Sequence, residues 1–442
     1  MTTKVGLIQL GCAKNQVDGE EMLGALSMAN GAVSFVADKR DADVLIVNTC
    51  GFIESAKQES IDAILDAVRR KRNGQVSKVI VTGCLAQRYG AELAIEIPEV
   101  DSFLGIESAP QVSNVVFGVL PPKRNQVAEL IDKYPLVPPP RLRATAAPWT
   151  AYLKISEGCD HTCTFCAIPG IRGKHRSKPL ERLVEEAERL ASTGAVELNL
   201  VAQDTTAYGM DLYGRLALPE LLEKLSGVHG IQWIRLLYCY PTMVRPALID
   251  AINNIPQVLP YIDMPLQHGD DAMLKAMKRG GNTDQYARLF DKLRTSVPDI
   301  TIRTTFLVGY PGEMETAVDN LETFIKNQQF DRVGIFTFSE EEGTPAFGLP
   351  DVVPSRVMRD RKDRLMRTQQ SISLQNNRRW VGREIEVLIE QSLAEHSVGR
   401  SFRDAPEIDG QVTVLHANCK IGTLVRARVS DASEYDLTAK VI

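Results

Sequence analysis

Three cysteines stand at C-x3-C-x2-C spacing in Gly158-Cys-Asp-His-Thr-Cys-Thr-Phe-Cys166, directly after the apolar run Ala151-Tyr-Leu-Lys-Ile155. Any fold for this chain has to deliver these thiols together at the end of the strand that the apolar run predicts. A closed structural zinc site takes four ligands, and a ferredoxin-type run keeps a fourth cysteine close by. Here no further cysteine follows until Cys239. The ligand arithmetic therefore fits a four-iron cube held by Cys159, Cys163 and Cys166, with one iron left open to a small molecule.

The rest of the chain reads as a large enzyme kept in a reducing compartment. Its 442 residues allow about three domains. Hydrophobic content of 44% and charged content of 24% are ordinary for globular chains. Eight cysteines in this length are too sparse for a disulfide scaffold. The start, Met1-Thr-Thr-Lys-Val-Gly-Leu-Ile-Gln-Leu-Gly-Cys12, has a cysteine placed as in a lipoprotein cleavage box. Its apolar stretch is too short for a signal and is interrupted by Gln9. No run reaches the roughly 18 apolar residues of a membrane span. The expected location is the cytoplasm, with no membrane contact.

Two breaks divide the chain. Residues 121–149 carry Pro121, Pro122, Pro135, Pro138 to Pro140 and Pro148 with little periodicity, which reads as a linker. Near 378–382 a charged helical stretch, 355–379, gives way to short alternating runs. The expected units are 1–140, 141–378 and 379–442. The overall class is α/β: an open α/β domain, a partial (β/α) barrel and a small C-terminal β-barrel.

In the first unit, three apolar strands each end on a cysteine. Val5 to Leu10 leads to Cys12, Val44 to Val47 to Cys50, and Val79 to Thr82 to Cys84. In an open α/β sheet, the carboxyl ends of parallel strands share the edge where ligands bind. Three thiols distant in sequence then converge, and Gly11, Gly51 and Gly83 let a cluster approach the backbone. A single cysteine of this kind is commonly only a buried apolar residue. Three repetitions argue for a second cluster with an open iron, held by Cys12, Cys50 and Cys84.

The middle unit predicts strands at 151–156, 196–202, 231–237, 260–264, 300–308 and 332–338, with amphipathic helices such as 180–192 and 313–328. Six β–α units suit an incomplete barrel with its chemistry at strand carboxyl ends. Polar residues follow those strands at Gln203-Asp204, Tyr238 to Pro241, Gln267-His268, Gly309 to Glu313 and Ser339-Glu340, where loop polarity is an equally good reading. Arg172, Lys174, His175, Arg176 and Lys178 form a basic stretch that faces either an anionic substrate or solvent, and the solvated loop is the favoured reading. Cys239 and Cys419 are read as structural.

The C-x3-C-x2-C loop resembles that of the radical S-adenosylmethionine (SAM) enzymes, and the wider chain resembles the methylthiotransferases among them. The shared motifs are Leu10-Gly-Cys-Ala-Lys-Asn15, Val47-Asn-Thr-Cys-Gly-Phe52, Thr82-Gly-Cys-Leu85, Pro265-Leu-Gln-His268 and Gly309-Tyr-Pro-Gly-Glu313. Met314 stands where that last motif commonly runs on to Thr. The resemblance implies two 4Fe-4S clusters, on Cys12/Cys50/Cys84 and on Cys159/Cys163/Cys166. It places Phe165 near the adenine of SAM and makes the C-terminal barrel a TRAM domain. It implies two SAM molecules: one methylates a sulfur at the first cluster, and the other yields an adenosyl radical that abstracts hydrogen from an unactivated carbon. A flavodoxin- or ferredoxin-type reductant would supply electrons.

Members of this family modify either an aspartate of small-subunit ribosomal protein S-twelve or an adenosine of transfer RNA. Residues 379–442 hold eight Lys/Arg against ten Asp/Glu, and the whole chain has a formal net charge of −5. An RNA-gripping barrel should be basic, because phosphate contacts dominate affinity. The acidic balance suits a basic ribosomal protein or the small subunit as partner, without a need for direct nucleic-acid binding. Gly399-Arg-Ser-Phe-Arg-Asp-Ala-Pro-Glu-Ile-Asp-Gly410 also resembles the ribosomal-protein branch. The expected reaction is methylthiolation of an aspartate β-carbon. The alternatives are a transfer-RNA adenosine methylthiotransferase and, from another class, a non-catalytic iron–sulfur electron carrier.

Overall fold

The computed structural model describes residues 2–29, 32–107, 111–118, 125–127, 141–143 and 147–442. Most of the proline-rich stretch 121–149, and the expected boundary at 140, lie outside the described residues.

The first sheet consists of β1 (Thr3–Gln9), β2 (Val33–Phe35), β3 (Val44–Thr49), β4 (Lys78–Gly83), β5 (Ser102–Leu104) and β6 (Asn125–Gln126), in the order β2-β1-β3-β4-β5-β6. Every pairing is parallel. Parallel strands are covered on both faces, and accordingly all six residues of β3 are buried. The helices α1 (Ala13–Met28), α2 (Glu54–Arg72) and α3 (Cys84–Glu96) follow β1, β3 and β4.

The central sheet consists of β7 (Thr150–Lys154), then β10 (Glu197–Val201), β11 (Trp233–Leu236), β12 (Val258–Asp263), β13 (Thr301–Val308) and β14 (Arg332–Thr337). A small hairpin, β8 (Ser156–Glu157) with β9 (Arg176–Ser177), comes between β7 and β10. The sheet order β14-β13-β12-β11-β10-β7 is parallel throughout. All six predicted strands are present to within about two residues at each end. Alternation sorts the faces: Leu198, Leu200, Ile234, Leu236 and Ile262 pack towards the helices, whereas Val201, Trp233, Leu237 and Tyr261 form a separate core on the other side.

That other side is filled by the C-terminal unit. Strands β15 (Glu384–Ser392), β16 (His396–Ser401), β17 (Val412–Leu415), β18 (Leu424–Ala432) and β19 (Leu437–Val441) close into a barrel, around Val387, Ile389, Val412, Val414 and Val429. Its 400–409 segment lies against the central strands. Arg400 pairs with Glu197 at 2.6 Å, Arg332 with Asp404 at 2.6 Å, and Arg303 with Asp409 at 3.3 Å. Tyr261 donates to Asp409 at 2.6 Å, and Arg235 donates to the Phe402 carbonyl at 2.6 Å. The side chains of Arg400, Arg403, Asp404 and Asp409 in this unit are buried, so its exposed charges keep their acidic balance. Among the described residues no helix is long and apolar enough to cross a membrane.

Candidate functional site

The three strand-end cysteines of the first sheet come together because their strands are held in tight register. Gln9 lies opposite Asn48, and Thr49 opposite Gly83. Asn15 donates to the Leu10 carbonyl at 2.7 Å and the Thr49 carbonyl at 3.1 Å, tying the ends of β1 and β3 together. Thr49 donates to the Thr82 carbonyl at 2.5 Å and ties β3 to β4. Ser60 on α2 both accepts from the Cys50 N–H at 3.0 Å and donates to its carbonyl at 2.9 Å. Cys12 is the residue before α1 and Cys84 opens α3, so both thiols lie at helix N-termini, where the dipole favours a thiolate.

The glycines beside these cysteines serve a different approach from the one expected. A side chain on Gly11 would begin 3.0 Å from Cys50 Cβ, and one on Gly51 would begin 2.8 Å from the Leu85 backbone. They allow the strand-end loops to close on one another, which is what brings the thiols together.

The second triad occupies one loop beyond β8, and nearly every later strand of the barrel sends a residue to hold it. Gly158 (φ 75°) makes the entry turn, where a Cβ would lie 2.0 Å from the Lys174 carbonyl oxygen. The Cys159 N–H donates to the Gly173 carbonyl at 3.0 Å, and the Thr164 N–H donates to that of Met277 at 3.0 Å. His161 Nε2 lies 2.6 Å from Asp204 Oδ2, and its ring stacks on Tyr240 at 3.6 Å. The Thr164 hydroxyl lies 2.8 Å from that of Tyr310, and the Ala346 N–H donates to the Thr164 carbonyl at 2.9 Å. Arg279 reaches Cys163 Sγ at 3.6 Å with its guanidinium over Tyr240, 3.9 Å from the ring centre. Phe165 is half-buried against an apolar group that includes Met273, Met277, Tyr310 and Phe338.

The two triads are neighbours. Cys84 packs against Ala167 and Ile171, directly beyond Cys166. Arg172 donates to Cys84 Sγ at 3.4 Å, to Asp18 at 2.8 Å and to Glu157 at 2.8 Å. Lys154 joins the same carboxylates, at 3.0 Å for Glu157, and a buried network of alternating charge spans the two units. Burial pushes the Cys84 thiol up to about 12, only partly offset by Arg172, and pushes Cys166 to about 12 and Cys159 to about 11. Cys50 is raised for the same reason. Cys12 goes the other way: crowding raises it, but Lys14 and Arg172 more than offset this, and its thiol ionises below the ordinary value.

The two triads thus meet where Cys84 packs against Ala167, next to Cys166, while Phe165 lies in the apolar group with Met273 and Tyr310. The donor set fits iron–sulfur cubes: each triad is all thiol, and each sits where a fourth position is free of a cysteine. Among the described residues no three His, Cys, Asp or Glu side chains converge tightly enough for a single metal ion. A cube imposes a different spacing, because its thiolates sit on separate irons. Gln203 Oε1, buried beside Glu157, has no hydrogen-bond partner among the described residues and is a free acceptor for a polar ligand at this interface.

One expectation is overturned. Arg172, His175, Arg176 and Lys178 are buried, at 1%, 6%, 3% and 0% exposure, and of the five basic residues only Lys174 is exposed. Arg172, Arg176 and Lys178 pair with Asp18, Glu21 and Glu107 of the first unit and with Glu157 and Glu186 of their own, all outside the stretch, so polarity within it gave no sign of them. The polar residues after the strands divide in role. Asp204 and Tyr240 brace the thiol loop. Glu313 is buried, bonding His268 at 3.1 Å, the Gly309 N–H at 2.8 Å and Arg361 at 2.6 Å, and so joins two of the quoted motifs to each other. Cys239 is buried in the main core and Cys419 borders the C-terminal one. Sequence reasoning missed Lys14 and Asn15 as individual residues, although both lie within a quoted motif, and it had no signal for Arg279.

Three family models match the chain in succession: "Uncharacterized protein family UPF0004" over residues 4–105, "Radical SAM superfamily" over 153–325 and "TRAM domain" over 381–442. A radical SAM methyltransferase, TsrM from Kitasatospora setae, shares the fold with a TM-score of 0.58 at 14% identity, over 78% of this chain and 77% of that one. Fold and site together define a radical SAM enzyme carrying a TRAM barrel, a transferase that works with SAM and an iron–sulfur cluster. At the level of sequence, the ribosomal protein uS12 methylthiotransferase RimO of Geobacter sulfurreducens is 45% identical over 99% of this chain and 98% of its own length. That of Desulforamulus reducens is 46% identical over 99% of both. The chain belongs to the RimO family of radical SAM methylthiotransferases.

Proposed function

We propose that this chain attaches a methylthio group to the β-carbon of an aspartate in ribosomal protein uS12, free or within the small ribosomal subunit. The observation that carries this reading is a likeness to RimO proteins that runs through all three units, with 45% identity over 99% of the chain. The contact of Cys84 with Ala167 supports it, because the carbon to be modified has to reach both triads in one bound state. Cys12, Cys50 and Cys84 hold one 4Fe-4S cluster, and Cys159, Cys163 and Cys166 hold a second, with Phe165 beside the adenine of SAM. When bound, these groups supply the methyl, the sulfur and the hydrogen-abstracting radical. The chain's own residues orient and seal the site: Asn15 and Thr49 fix the first triad, while His161, Thr164 and Arg279 fix the second. An electron donor of flavodoxin or ferredoxin type reduces the enzyme in the cytoplasm. The units divide at 140 and 378, and the acidic TRAM barrel faces a basic protein partner without a requirement for nucleic acid.

The test is anaerobic incubation of reconstituted enzyme with SAM, sulfide and reductant, beside uS12 or unmodified transfer RNA, followed by mass spectrometry. A methylthio group on the aspartate-bearing peptide alone is the expected result, and one on adenosine alone would overturn the reading. Replacing Cys12, Cys50 and Cys84 together by alanine should leave about half the iron and sulfide, as expected for two cubes with three thiolates each.

A further inference from the structure

The central sheet is open, with β14 and β7 as its two unjoined edges. The first unit spans that gap and is fastened on both sides. On the β7 side, Asp18, Glu20 and Glu21 of α1 meet Lys154, Arg141 and Lys178. On the β14 side, among the described residues, the ion pairs that join the two units all end on one carboxylate. Glu341, 2% exposed in the loop after β14, takes Arg88 of α3 at 2.6 Å and Lys57 of α2 at 3.2 Å. The Ser339 hydroxyl donates to its other oxygen at 2.7 Å. Charge-assisted bonds shielded from water are strong and directional, so this carboxylate fixes where α2 and α3 sit against the barrel edge.

What Glu341 holds leads to both triads. Arg88 lies about one turn along α3 from Cys84. It also donates to the carbonyl of Gly51, beside Cys50, at 3.0 Å and to the Glu342 carbonyl at 2.7 Å. Thr344 closes a turn on the Glu341 carbonyl, through its N–H at 3.2 Å and its hydroxyl at 2.7 Å. Two residues further on, the Ala346 N–H donates to the carbonyl of Thr164, between Cys163 and Cys166, at 2.9 Å. The short run 341–346 therefore grips loops of the first triad at one end and the loop of the second at the other. We propose that Glu341 is a positioning residue: through Arg88 and Lys57 it sets the separation of the two triads, and with it the share of radicals that end in methylthio transfer. This inference rests on the two-cluster reading above.

The experiment compares the reconstituted enzyme with its Glu341→Gln, Arg88→Met and doubly substituted variants, and with the milder Lys57→Met. Iron and sulfide content are measured first. EPR of the fully reduced enzyme then reads the magnetic coupling between the clusters, which falls steeply with their separation. With uS12 present, KM and the ratio of 5′-deoxyadenosine to methylthiolated product are read. Glu341→Gln should keep its iron and sulfide, its deoxyadenosine formed without uS12 and its KM, while the EPR coupling changes. Methylthiolation should fall roughly 100-fold, the scale of a misplacement of about 1 Å, and deoxyadenosine per product should rise. The double variant should be no worse than Arg88→Met alone, since the same link is broken. Lys57→Met should show the same changes in smaller measure, and it carries the test if Glu341→Gln does not fold. An unchanged product ratio or an unchanged EPR coupling overturns the inference, and so does loss of the first cluster's iron, which would make Glu341 a prop of that site alone. If the unsubstituted enzyme carries both clusters but leaves uS12 unmodified, the substrate reading fails and the EPR comparison still decides the role of Glu341. If it loads only one cluster, the two-cluster reading fails and the inference falls with it.

Discussion

At the scale of single residues, the six thiols are chemically unequal before any iron arrives. Cys12 is exposed and ionises below its ordinary value, whereas Cys84 and Cys166 are held up to about 12 by burial. A depressed pKa means more thiolate at neutral pH, and a raised one means almost none, so reactivity should follow that order. Timed iodoacetamide labelling of cluster-free protein at pH 7.5 or so should modify Cys12 first and Cys84 last, and equal rates at the two would contradict this account. The raised thiols also have to lose protons when iron binds. Cluster loading should therefore release protons and become more favourable as pH rises from about 7 to 9, as read by iron content at limiting iron.

At the scale of elements, the first triad depends on loops closed by side chains remote from the sulfurs. Asn15 on α1 holds the ends of two strands through the Leu10 and Thr49 carbonyls. Asn15→Ala removes the side-chain donor to the Thr49 carbonyl and one of two donors to the Leu10 carbonyl, which Gln9 Nε2 still meets at 2.9 Å, at a cost of about 1–3 kcal/mol for a buried group left unsatisfied. The expected phenotype is selective: the first cluster's iron is lost or labile while the Cys159/Cys163/Cys166 site still loads and cleaves SAM. Mössbauer or EPR quantification of the two clusters checks it. The strands themselves were legible in sequence because alternation and apolar runs are local. The packing of Gly51 on Leu85 was not, because nothing near Gly51 in the chain says which loop will face it.

At the scale of the molecule, the C-terminal barrel is a fixture of the catalytic unit. Glu197 on β10 lies between Arg235 at 3.1 Å and Arg400 at 2.6 Å, all three buried. Burial alone would raise the Glu197 carboxyl, but Arg400 and Arg235 outweigh it and hold it at about 2, against an ordinary value of 4.5. The stabilisation is therefore complete above about pH 4.5 and is lost as pH falls towards 2. Glu197→Ala leaves two guanidinium groups without their shared partner and should cost about 3–5 kcal/mol at neutral pH. Chemical denaturation of the cluster-free protein measures it, and the loss should shrink when the variant and its parent are compared at acid pH.

What the sequence determined alone is whatever rests on neighbours in the chain: the C-x3-C-x2-C loop, the strand ends carrying Cys12, Cys50 and Cys84, and the β–α rhythm of both sheets. Spacing and periodicity encode these directly, since a strand repeats every two residues and a ligand loop spans eight. The tertiary structure decided what depends on meetings across the chain. It set the two triads side by side through Cys84 and Ala167, and it turned a basic stretch that reads as solvated into a buried network with Asp18 and Glu157. Burial and charge compensation are properties of the surroundings, and a residue's surroundings exist only once the chain has folded.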